Sequence, residues 1–353
     1  MRRARTPGGN RRARCRGYRS FSQFATGPAG DPSRYGSVTH PRVFPSTRRA
    51  RRAVALAIAG VALALMATAV VGAPVPRPAA TCPVGRTAGV FAHQDDDILF
   101  ANPAIAGRIA RGECVFTLYL SAGDAGEPAQ YWIGREAGSR AAYARMAGVP
   151  DRWVRHLKSV HGRSVITYSL RANPRISLGF LRLPDGLNRG TGFPSTGNRS
   201  LFQLWTGVID DIWTTDGVHY TRDELVRVVR ALVLGFAPRQ VITNDFTRPF
   251  QCQPDSCVRP FDQSDHVATG YITRAAVPGL FRKGAVLGAK GYPAVFENLP
   301  NVADPVLARK TAIFAAYTAH DPLVCQGATA CLDDVEYGNF LRRQYLIPSA
   351  APR

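Results

Sequence analysis

The sequence predicts an α/β fold, a three-layer sandwich in which helices cover both faces of a mostly parallel central sheet. Two observations support this prediction. From residue 87 onward, strand-like and helix-like stretches alternate in short order, which implies parallel strands joined by right-handed crossovers. Further along, N-terminal capping residues predict the start of another helix, and a short strand-like run follows it at residues 241–243.

The first elements are two strands and the helices that follow them. Thr87–Ala92 is a short apolar run, which predicts a buried strand. Asn102-Pro103 can open a helix that runs to about Arg111, because proline suits the first helical turn. Cys114–Leu120 is apolar, β-branched and aromatic, so it predicts the second strand, and residues 135–147 predict the next helix.

The middle of the chain carries turn and helix signals. Residues 164–183 predict extended or hairpin structure that ends in a turn at residues 183–186. Residues 187–200 predict a loop, because they are rich in Gly, Asn, Ser and Pro. Residues 221–224 form a capping box ahead of apolar residues at helical spacing, which predicts the start of a helix.

Most of the positive charge lies in an N-terminal arm. The chain has 353 residues and a net charge of +20, of which residues 1–74 carry +13 from 14 Arg and the single acid Asp31. The rest of the chain has no basic stripe and no nucleic-acid reader motif, so we predict no nucleic-acid partner. Residues 1–52 are rich in Arg, Gly, Pro and Ser and are predicted to be a disordered basic arm.

An uncharged apolar segment, Ala53–Ala73, follows the arm and is long enough to cross a bilayer as a helix. Four arginines just before it favour a cytoplasmic position for that end. We therefore predict a signal peptide or signal-anchor transmembrane helix over residues 53–74, a proline-rich linker over 75–80 and a folded domain over 81–346. The domain would be secreted, or anchored on the outer face of the cytoplasmic membrane if the segment is not cleaved.

Six of the seven cysteines lie in the part predicted to be exported, where an even number indicates disulfides. Six cysteines allow many pairings, so their connectivity stays open. Two pairs are close in sequence and are natural local partners, Cys252 with Cys257 and Cys325 with Cys331. That choice would leave Cys82 to pair with Cys114.

Acidic and histidine side chains follow the first predicted strand directly, in the segment His93-Gln94-Asp95-Asp96-Asp97. Ligands of open parallel sheets bind beyond the carboxyl ends of the strands, so this segment is well placed for a binding site. Three adjacent carboxylates repel one another, and a divalent cation stabilises them directly. An acidic turn that only caps a helix is the alternative.

A second segment, Asp262-Gln263-Ser264-Asp265-His266, follows the strand at residues 241–243 and opens a helix at Ser264 or Asp265. Two histidines and one aspartate make a three-ligand site with an open position, the arrangement of catalytic zinc. The candidate ligands are His93, Asp96 and His266. Zinc lowers the pKa of its bound water to about 7, and a neighbouring carboxylate can take the proton. Asp95 is such a neighbour.

The order of these motifs resembles that of the PIG-L/LmbE-like deacetylases. The family pattern opens with Ala-His-Pro-Asp-Asp-Glu, which stands here as Ala92-His93-Gln94-Asp95-Asp96-Asp97. Further matching segments follow in the expected order: Ser121–Gly126, Arg135-Glu136, Met146–Val149, Leu183–Gly186, Val241–Asp245 and Ser264–His266. The resemblance covers residues 87 to about 321 and implies a Rossmann-like sandwich.

The resemblance also implies roles for individual residues. The three candidate ligands match the zinc ligands of the family, and Asp95 matches its general base. Asp265 matches a carboxylate that orients the ligands, and Arg135 matches a substrate-binding residue. Asp124 and Asp185 lie in loops that can line the mouth of the site, so they are further candidates for substrate binding, with simple turn roles as the alternative.

One departure from the family bears on catalysis. Gln263 stands where the family has a histidine that stabilises the transition state or protonates the amine. Glutamine can donate a hydrogen bond but cannot shuttle a proton at neutral pH. Either Asp95 makes both proton transfers, another residue fills in, or the enzyme is slow.

The resemblance, together with the candidate zinc ligands and the export signal, implies a zinc-dependent hydrolase that removes an N-acyl group, N-acetyl in the expected case, outside the cytoplasmic membrane. The expected partner is an N-acetylated amino-sugar glycan, glycoside or glycolipid, and the membrane itself if the apolar segment stays attached. The alternative is a catalytically weak or inactive carbohydrate-binding module of the cell surface, which Gln263 favours. A third hypothesis, cleavage of a thiol-conjugate amide, is disfavoured by the export signal.

Overall fold

A computed structural model describes residues 81–253 and 256–349. The strands are β1 (Arg86–Phe91), β2 (Cys114–Ser121), β3 (Trp153–Val160), β4 (Arg163–Leu170), β5 (Ile176–Leu183), β6 (Asp211–Trp213), β7 (His219–Thr221), β8 (Gln240–Asn244), β9 (Cys252–Gln253), β10 (Ser256–Cys257), β11 (Val286–Ala289) and β12 (Leu346–Pro348). The predicted basic arm, apolar segment and linker lie outside these residues.

Helices connect the strands, and the last of them comes before β12. They are α1 (Asp96–Phe100), α2 (Ala104–Ala110), α3 (Ala129–Ala147), α4 (Leu201–Thr206), α5 (Arg222–Gly235), α6 (Ser264–Ala276), α7 (Pro278–Arg282), α8 (Ala294–Glu297), α9 (Val306–Thr318), α10 (Ala328–Asp333) and α11 (Tyr337–Leu341), with a 3₁₀ turn at Pro194–Thr196. Among the helices of the described ranges, none has the length and apolar character that a membrane crossing requires.

One eight-stranded sheet has the order β12-β11-β8-β1-β2-β5-β4-β3. Its five central strands run parallel, and the strands at both edges run antiparallel to their neighbours. The predicted mostly parallel sheet is confirmed. Strand β1 has β2 on one side and β8 on the other, so the chain switches direction across the sheet there. Ligands of open α/β sheets bind beyond the carboxyl ends of the strands at such a switch point.

Successive side chains of the parallel strands point to opposite faces of the sheet, and an apolar layer forms on each face. Phe91 packs with residues of α1, α2, α3 and α9 on one face of the sheet. Its neighbour Val90 packs with residues of α4, α5 and α6 on the other face. The three-layer sandwich predicted from the sequence is therefore present, with the sheet as the middle layer.

Local sequence signals set several helix starts. The Thr221 hydroxyl accepts from the N–H of Glu224, and the Glu224 side chain accepts from the N–H of Thr221, so the predicted capping box is confirmed. Helix α3 begins at Ala129, earlier than the predicted start at 135. Pro128 is the N-cap of this helix, with an extended ψ of 163°. Proline has no backbone N–H, but an N–H at the start of a helix has no helical partner, so no hydrogen bond is lost.

Three disulfides join Cys82 to Cys114, Cys252 to Cys257 and Cys325 to Cys331. The structure therefore pairs the cysteines that are close in sequence with each other and leaves Cys82 to Cys114. The first disulfide ties the chain ahead of β1 to the start of β2, at the end of the sheet opposite the carboxyl ends of these strands.

Candidate active site

The candidate site lies where β1 and β8 end side by side. His93 is the second residue after β1, and Asp96 begins α1 directly behind it. His266 lies in the first turn of α6, which follows β8 through a long loop. The two histidines are 173 residues apart in sequence, yet the shared carboxyl edge of parallel strands brings them into contact.

Three ligand atoms face one another at this point: His93 Nδ1, His266 Nε2 and Asp96 Oδ1, here called the metal triangle. The two nitrogens are 3.2 Å apart. Asp96 Oδ1 lies 3.0 Å from His266 Nε2 and 3.5 Å from His93 Nδ1. A tetrahedral zinc ion with bonds of about 2.0–2.1 Å separates its ligand atoms by about 3.3 Å. The triangle therefore fits an ion of that size, and all three side chains are buried.

Hydrogen bonds occupy the other atoms of His266 and Asp96. Asp262 Oδ1 lies 2.7 Å from His266 Nδ1, which orients the ring and leaves Nε2 as the ligand atom. Asp96 Oδ2 accepts from the backbone N–H of His93 at 3.0 Å and from Asn244 Nδ2 at 3.1 Å. These contacts leave Asp96 Oδ1 for a cation.

His93 presents its second ring nitrogen, Nε2, to two further carboxylates. Asp265 Oδ2 is 3.6 Å away and Asp185 Oδ2 is 3.7 Å away. These three side chains are also close enough to share an ion. A neutral imidazole has one free lone pair, however, so His93 can serve only one of the two groups at a time. The distances from His93 Nδ1 to the other two atoms of the metal triangle are shorter than those from His93 Nε2 to the carboxylates of Asp265 and Asp185. The metal triangle is therefore the better candidate for the metal site.

Burial and charge oppose each other on the ligands. Burial lowers the pKa of His266, but the carboxylates of Asp96 and Asp262 outweigh it and raise that pKa to about 10. Burial raises the pKa of Asp96, but the imidazoles of His266 and His93 outweigh it and hold that pKa well below its usual range. The site therefore has a carboxylate field that attracts a cation.

Asp95 stands beside the metal triangle with one oxygen fixed. Arg135 Nη2 donates to Asp95 Oδ1 at 2.6 Å. Burial raises the pKa of Asp95, and the charge of Arg135 opposes the rise only in part. The Asp95 side chain is 14% exposed, against 3% for Asp96. Of these two adjacent carboxylates, Asp95 is the one that meets solvent.

Arg135, which the family resemblance assigns to substrate binding, is buried behind Asp95. Its Nη1 donates to the Gly123 carbonyl at 2.8 Å, and its Nε donates to the Tyr317 hydroxyl at 2.7 Å. The structure thus places Arg135 in the site, with three of its donor nitrogens engaged by protein groups. Its contact with substrate stays a prediction.

Gln263 is the N-cap of α6. Its side-chain oxygen accepts from the backbone N–H of Asp265. Its Nε2 donates to Asp185 Oδ1 at 3.3 Å. Asp124 Oδ1 in turn accepts from the backbone N–H of Asp185 at 2.9 Å. The three predicted residues Gln263, Asp185 and Asp124 therefore form one hydrogen-bonded row beside His93, and the predicted substrate contacts of the two aspartates stay predictions.

Sequence reasoning gave no role to several residues that shape the site. Asn244 ends β8 and holds Asp96, and Asp262 orients His266. The Tyr292 ring packs edge-on against the His266 ring with centroids 5.2 Å apart. Position offered a signal for two of them, because Asn244 is a polar residue at the carboxyl end of a strand and Asp262 lies four residues before His266. The sequence gives no such signal for Tyr292.

Comparison with known proteins yields a family match. The family profile described as PIG-L, GlcNAc-PI de-N-acetylase, matches residues 89–277, which is more than half of the chain and includes both metal-ligand segments. A search of curated protein sequences gives no match.

Solved structures of similar fold include deacetylases. The zinc-inhibited form of teicoplanin deacetylase is 17% identical, with 73% of this chain and 90% of that chain covered at a TM-score of 0.40. The N,N′-diacetylchitobiose deacetylase from Pyrococcus horikoshii, complexed with an inhibitor, is 10% identical, with 67% and 70% covered at a TM-score of 0.38. The profile match over more than half of the sequence confirms the predicted family, and this chain belongs to the PIG-L family of de-N-acetylases.

Proposed function

We propose that this chain is a zinc-dependent hydrolase that removes an N-acyl group, N-acetyl in the expected case, from an amino-sugar glycan, glycoside or glycolipid. The observation that carries the proposal is the metal triangle, whose three atoms have the mutual spacing of zinc ligands. His93, Asp96 and His266 would hold the ion. When bound, zinc supplies a water of lowered pKa and polarises the amide carbonyl.

Asp95 is the residue that we assign to proton transfer. Its Oδ1 is bound to Arg135, which leaves Oδ2 to accept a proton from the attacking water. The water oxygen bonds to the acyl carbon, the C–N bond breaks, and the amine nitrogen takes up a proton. Asp95 receives the first water proton and returns it to that nitrogen, so the reaction ends with a carboxylic acid and a free amine.

Gln263 supports the assignment of both transfers to Asp95. Its amide can donate a hydrogen bond, and its two polar atoms are engaged by Asp265 and Asp185. It therefore supplies no proton to the leaving amine. Loss of one electrophilic group typically costs ~10²–10³ in rate, so we expect a slow enzyme.

We further propose that the protein works outside the cytoplasmic membrane, either secreted or anchored on its outer face. The uncharged segment Ala53–Ala73 with arginines before it favours export. The three disulfides also favour export, because such bonds persist in oxidising compartments.

A second candidate function is a carbohydrate-binding module that holds zinc and lacks turnover. Gln263 in the place of a family histidine favours it. Both candidates share the fold and the metal triangle, so only a measurement of turnover separates them.

The test measures zinc content and acetate release on the purified full chain. Substrates are N-acetylglucosamine, N,N′-diacetylchitobiose and longer chitooligosaccharides, each with and without a chelator. We expect zinc in the protein and acetate release that the chelator stops. His266→Ala should lose both, whereas the control His219→Ala, at a half-buried position in β7, should keep both. Zinc without acetate release from any of these sugars would support the binding module, and absence of zinc would contradict the zinc assignment.

A further inference from the structure

A buried side-chain network connects Arg135 to a part of the chain outside the matched family region. Arg135 Nε donates to the Tyr317 hydroxyl at 2.7 Å and lies 3.2 Å from Asp321 Oδ2. The Tyr317 hydroxyl donates to the same carboxylate oxygen at 2.6 Å. Tyr317 lies in α9 and Asp321 just after it, whereas the family match ends at residue 277. Both residues are buried, with exposed fractions of 0% and 1%.

Close packing of α9 on α3 brings this network together. A Cβ atom at Gly138 of α3 would lie 2.8 Å from the Tyr317 carbonyl oxygen. A Cβ atom at Gly134, one turn earlier, would lie 2.7 Å from the His320 carbonyl oxygen. Any other residue at these two positions would push α9 away, so the glycines allow the end of α9 to reach the guanidinium on the same helix.

The network fixes the plane of the guanidinium from three sides. Tyr317 holds Nε, the Gly123 carbonyl holds Nη1, and Nη2 is directed to Asp95. A guanidinium is planar, so contacts at two of its nitrogens determine where the third can donate. The position of Asp95 Oδ1 therefore depends on groups that lie on the far side of Arg135.

We infer that Tyr317 and Asp321 are positioning residues for the reaction, because they hold Arg135 so that it fixes one oxygen of Asp95 and leaves the other to react. The inference rests on the proposed role of Asp95. According to this inference, Arg135 acts through Asp95. The KM of the variants distinguishes this role from direct substrate binding by Arg135, because a positioning role leaves KM unchanged.

The main test is a double-mutant cycle of Tyr317→Phe and Arg135→Lys, measured as kcat and KM for acetate release from N,N′-diacetylchitobiose. Tyr317→Phe removes only the hydroxyl, and we expect kcat to fall about tenfold with KM unchanged and zinc retained. Arg135→Lys keeps a positive charge but has no Nε to bind the hydroxyl. Adding Tyr317→Phe to Arg135→Lys should therefore cost little more, whereas a purely structural tyrosine would give additive losses.

Two further variants complete the design. Asp321→Asn keeps the shape of the side chain and should lower kcat at least as much as Tyr317→Phe. Tyr220→Phe is the control, because the buried Tyr220 hydroxyl has no hydrogen-bond partner among the described residues and lies in the opposite apolar layer. It should keep wild-type kcat. Wild-type kcat in Tyr317→Phe and Asp321→Asn would overturn the inference.

Crystal structures of the wild type, Tyr317→Phe and Asp321→Asn decide the inference without any assay. We expect the Asp95 carboxylate to rotate or shift by more than about 0.5 Å in both variants, beyond the tolerance of a preorganised group. An unmoved Asp95 overturns the inference. If the wild type releases no acetate from any sugar, the proposed function fails, and the crystal structures still show whether Tyr317 and Asp321 position Asp95.

Discussion

The family-matched region, residues 89–277, and the C-terminal region, residues 278–349, meet at the site but contribute different groups. The matched region supplies the metal triangle and Asp95 from loops and first helical turns at the carboxyl ends of parallel strands. The C-terminal region supplies no atom of the triangle. It packs Tyr292 against His266 and Tyr317 against Arg135, so it supports groups that the matched region provides.

The difference shows that the chemistry and its support follow different physical rules. Groups that react must lie at the open edge of the sheet, where the topology places the ends of β1 and β8 together. Groups that support them need only reach them through packed layers, so they can come from other elements, such as α9 for Tyr317 and the turn between β11 and α8 for Tyr292. Substitutions in the two regions test whether reactivity and support are separated in this way.

The largest effect should come from Asp95 itself. Asp95→Asn removes the proton acceptor but keeps the shape of the side chain, so kcat should fall by about 10³-fold or more. Zinc content should stay at the wild-type value, because Asp95 is outside the metal triangle. Asp211→Asn, at a half-exposed aspartate paired with Arg199, is the control and should leave kcat unchanged. Normal turnover in Asp95→Asn would show that another group accepts the proton.

A smaller effect is expected from Asp262, where the two regions touch. Asp262 Oδ1 lies near His266 Nδ1 and also accepts from the backbone N–H of Tyr292 at 3.3 Å. Asp262→Asn should weaken zinc binding by about 10- to 100-fold, because the ring loses its carboxylate partner. Competition with a chelator of known affinity measures the change.

Excess zinc should restore most of the kcat of Asp262→Asn, since the reacting groups are intact. A variant that binds zinc as tightly as the wild type would show that His266 keeps its orientation without this carboxylate. Asp211→Asn serves again as the control, with unchanged affinity for zinc.

Most elements of the matched region could be predicted from the sequence, because the sequence signals for them are local. The strand at residues 87–92 and the capping box at 221–224 depend on neighbours within a few residues, and both are present as predicted. The segments that carry His93 and His266 could be placed together because the carboxyl ends of parallel strands share an edge. The fold, the parallel direction of the strands and the proximity of the candidate ligands could therefore be predicted from the sequence.

The supporting contacts from the C-terminal region could not be predicted, because they depend on how that part of the chain packs against the matched region. Arg135 and Tyr317 are 182 residues apart in sequence, and nothing in the pattern around Tyr317 distinguishes it from an ordinary core residue of a helix. Its ring is fully buried, as that of an ordinary core residue would be. Its hydroxyl, however, belongs to the site, and only the close approach of α9 to α3 shows this.

The contact between the two regions can be weakened directly at Gly138. Gly138→Ala adds a Cβ atom that would lie 2.8 Å from the Tyr317 carbonyl oxygen and 2.7 Å from Tyr317 Cδ2. The overpacking should lower the free energy of unfolding by about 1–3 kcal/mol, as measured by urea denaturation. Some loss of kcat should accompany it, because Tyr317 would move relative to Arg135.

Gly235→Ala is the matched control for this change. Gly235 also lies in a helix, and a Cβ atom there would meet nothing within 4 Å. Alanine in place of a helical glycine should therefore leave stability unchanged or raise it by up to about 1 kcal/mol. Equal effects of the two substitutions would show that α9 does not pack against α3 as closely as the structure indicates.

A further effect concerns a buried lysine of the C-terminal region and the stability of the protein. Lys310 of α9 is fully enclosed, and its Nζ donates to the carbonyl oxygens of Phe340 and Arg343 at 3.1 and 2.7 Å. Burial lowers the pKa of Lys310 from 10.5 to about 7. Between these two values the unfolded chain holds a proton that the folded chain lacks, so stability should rise with pH across this window.

Lys310→Met removes the titrating group and keeps the apolar stem, so it isolates this contribution. From pH 7.5 to pH 9.5, the free energy of unfolding of the wild type should rise relative to that of Lys310→Met, by at most about 1.4 kcal/mol per pH unit. Lys290→Met, at a lysine that pairs with Glu297, is the control and should follow the wild-type pH profile. Parallel profiles for the wild type and Lys310→Met would mean that Lys310 keeps its proton in the folded protein. In that case the two carbonyl oxygens bind an ammonium ion, and the C-terminal region holds a buried charge rather than a neutral amine.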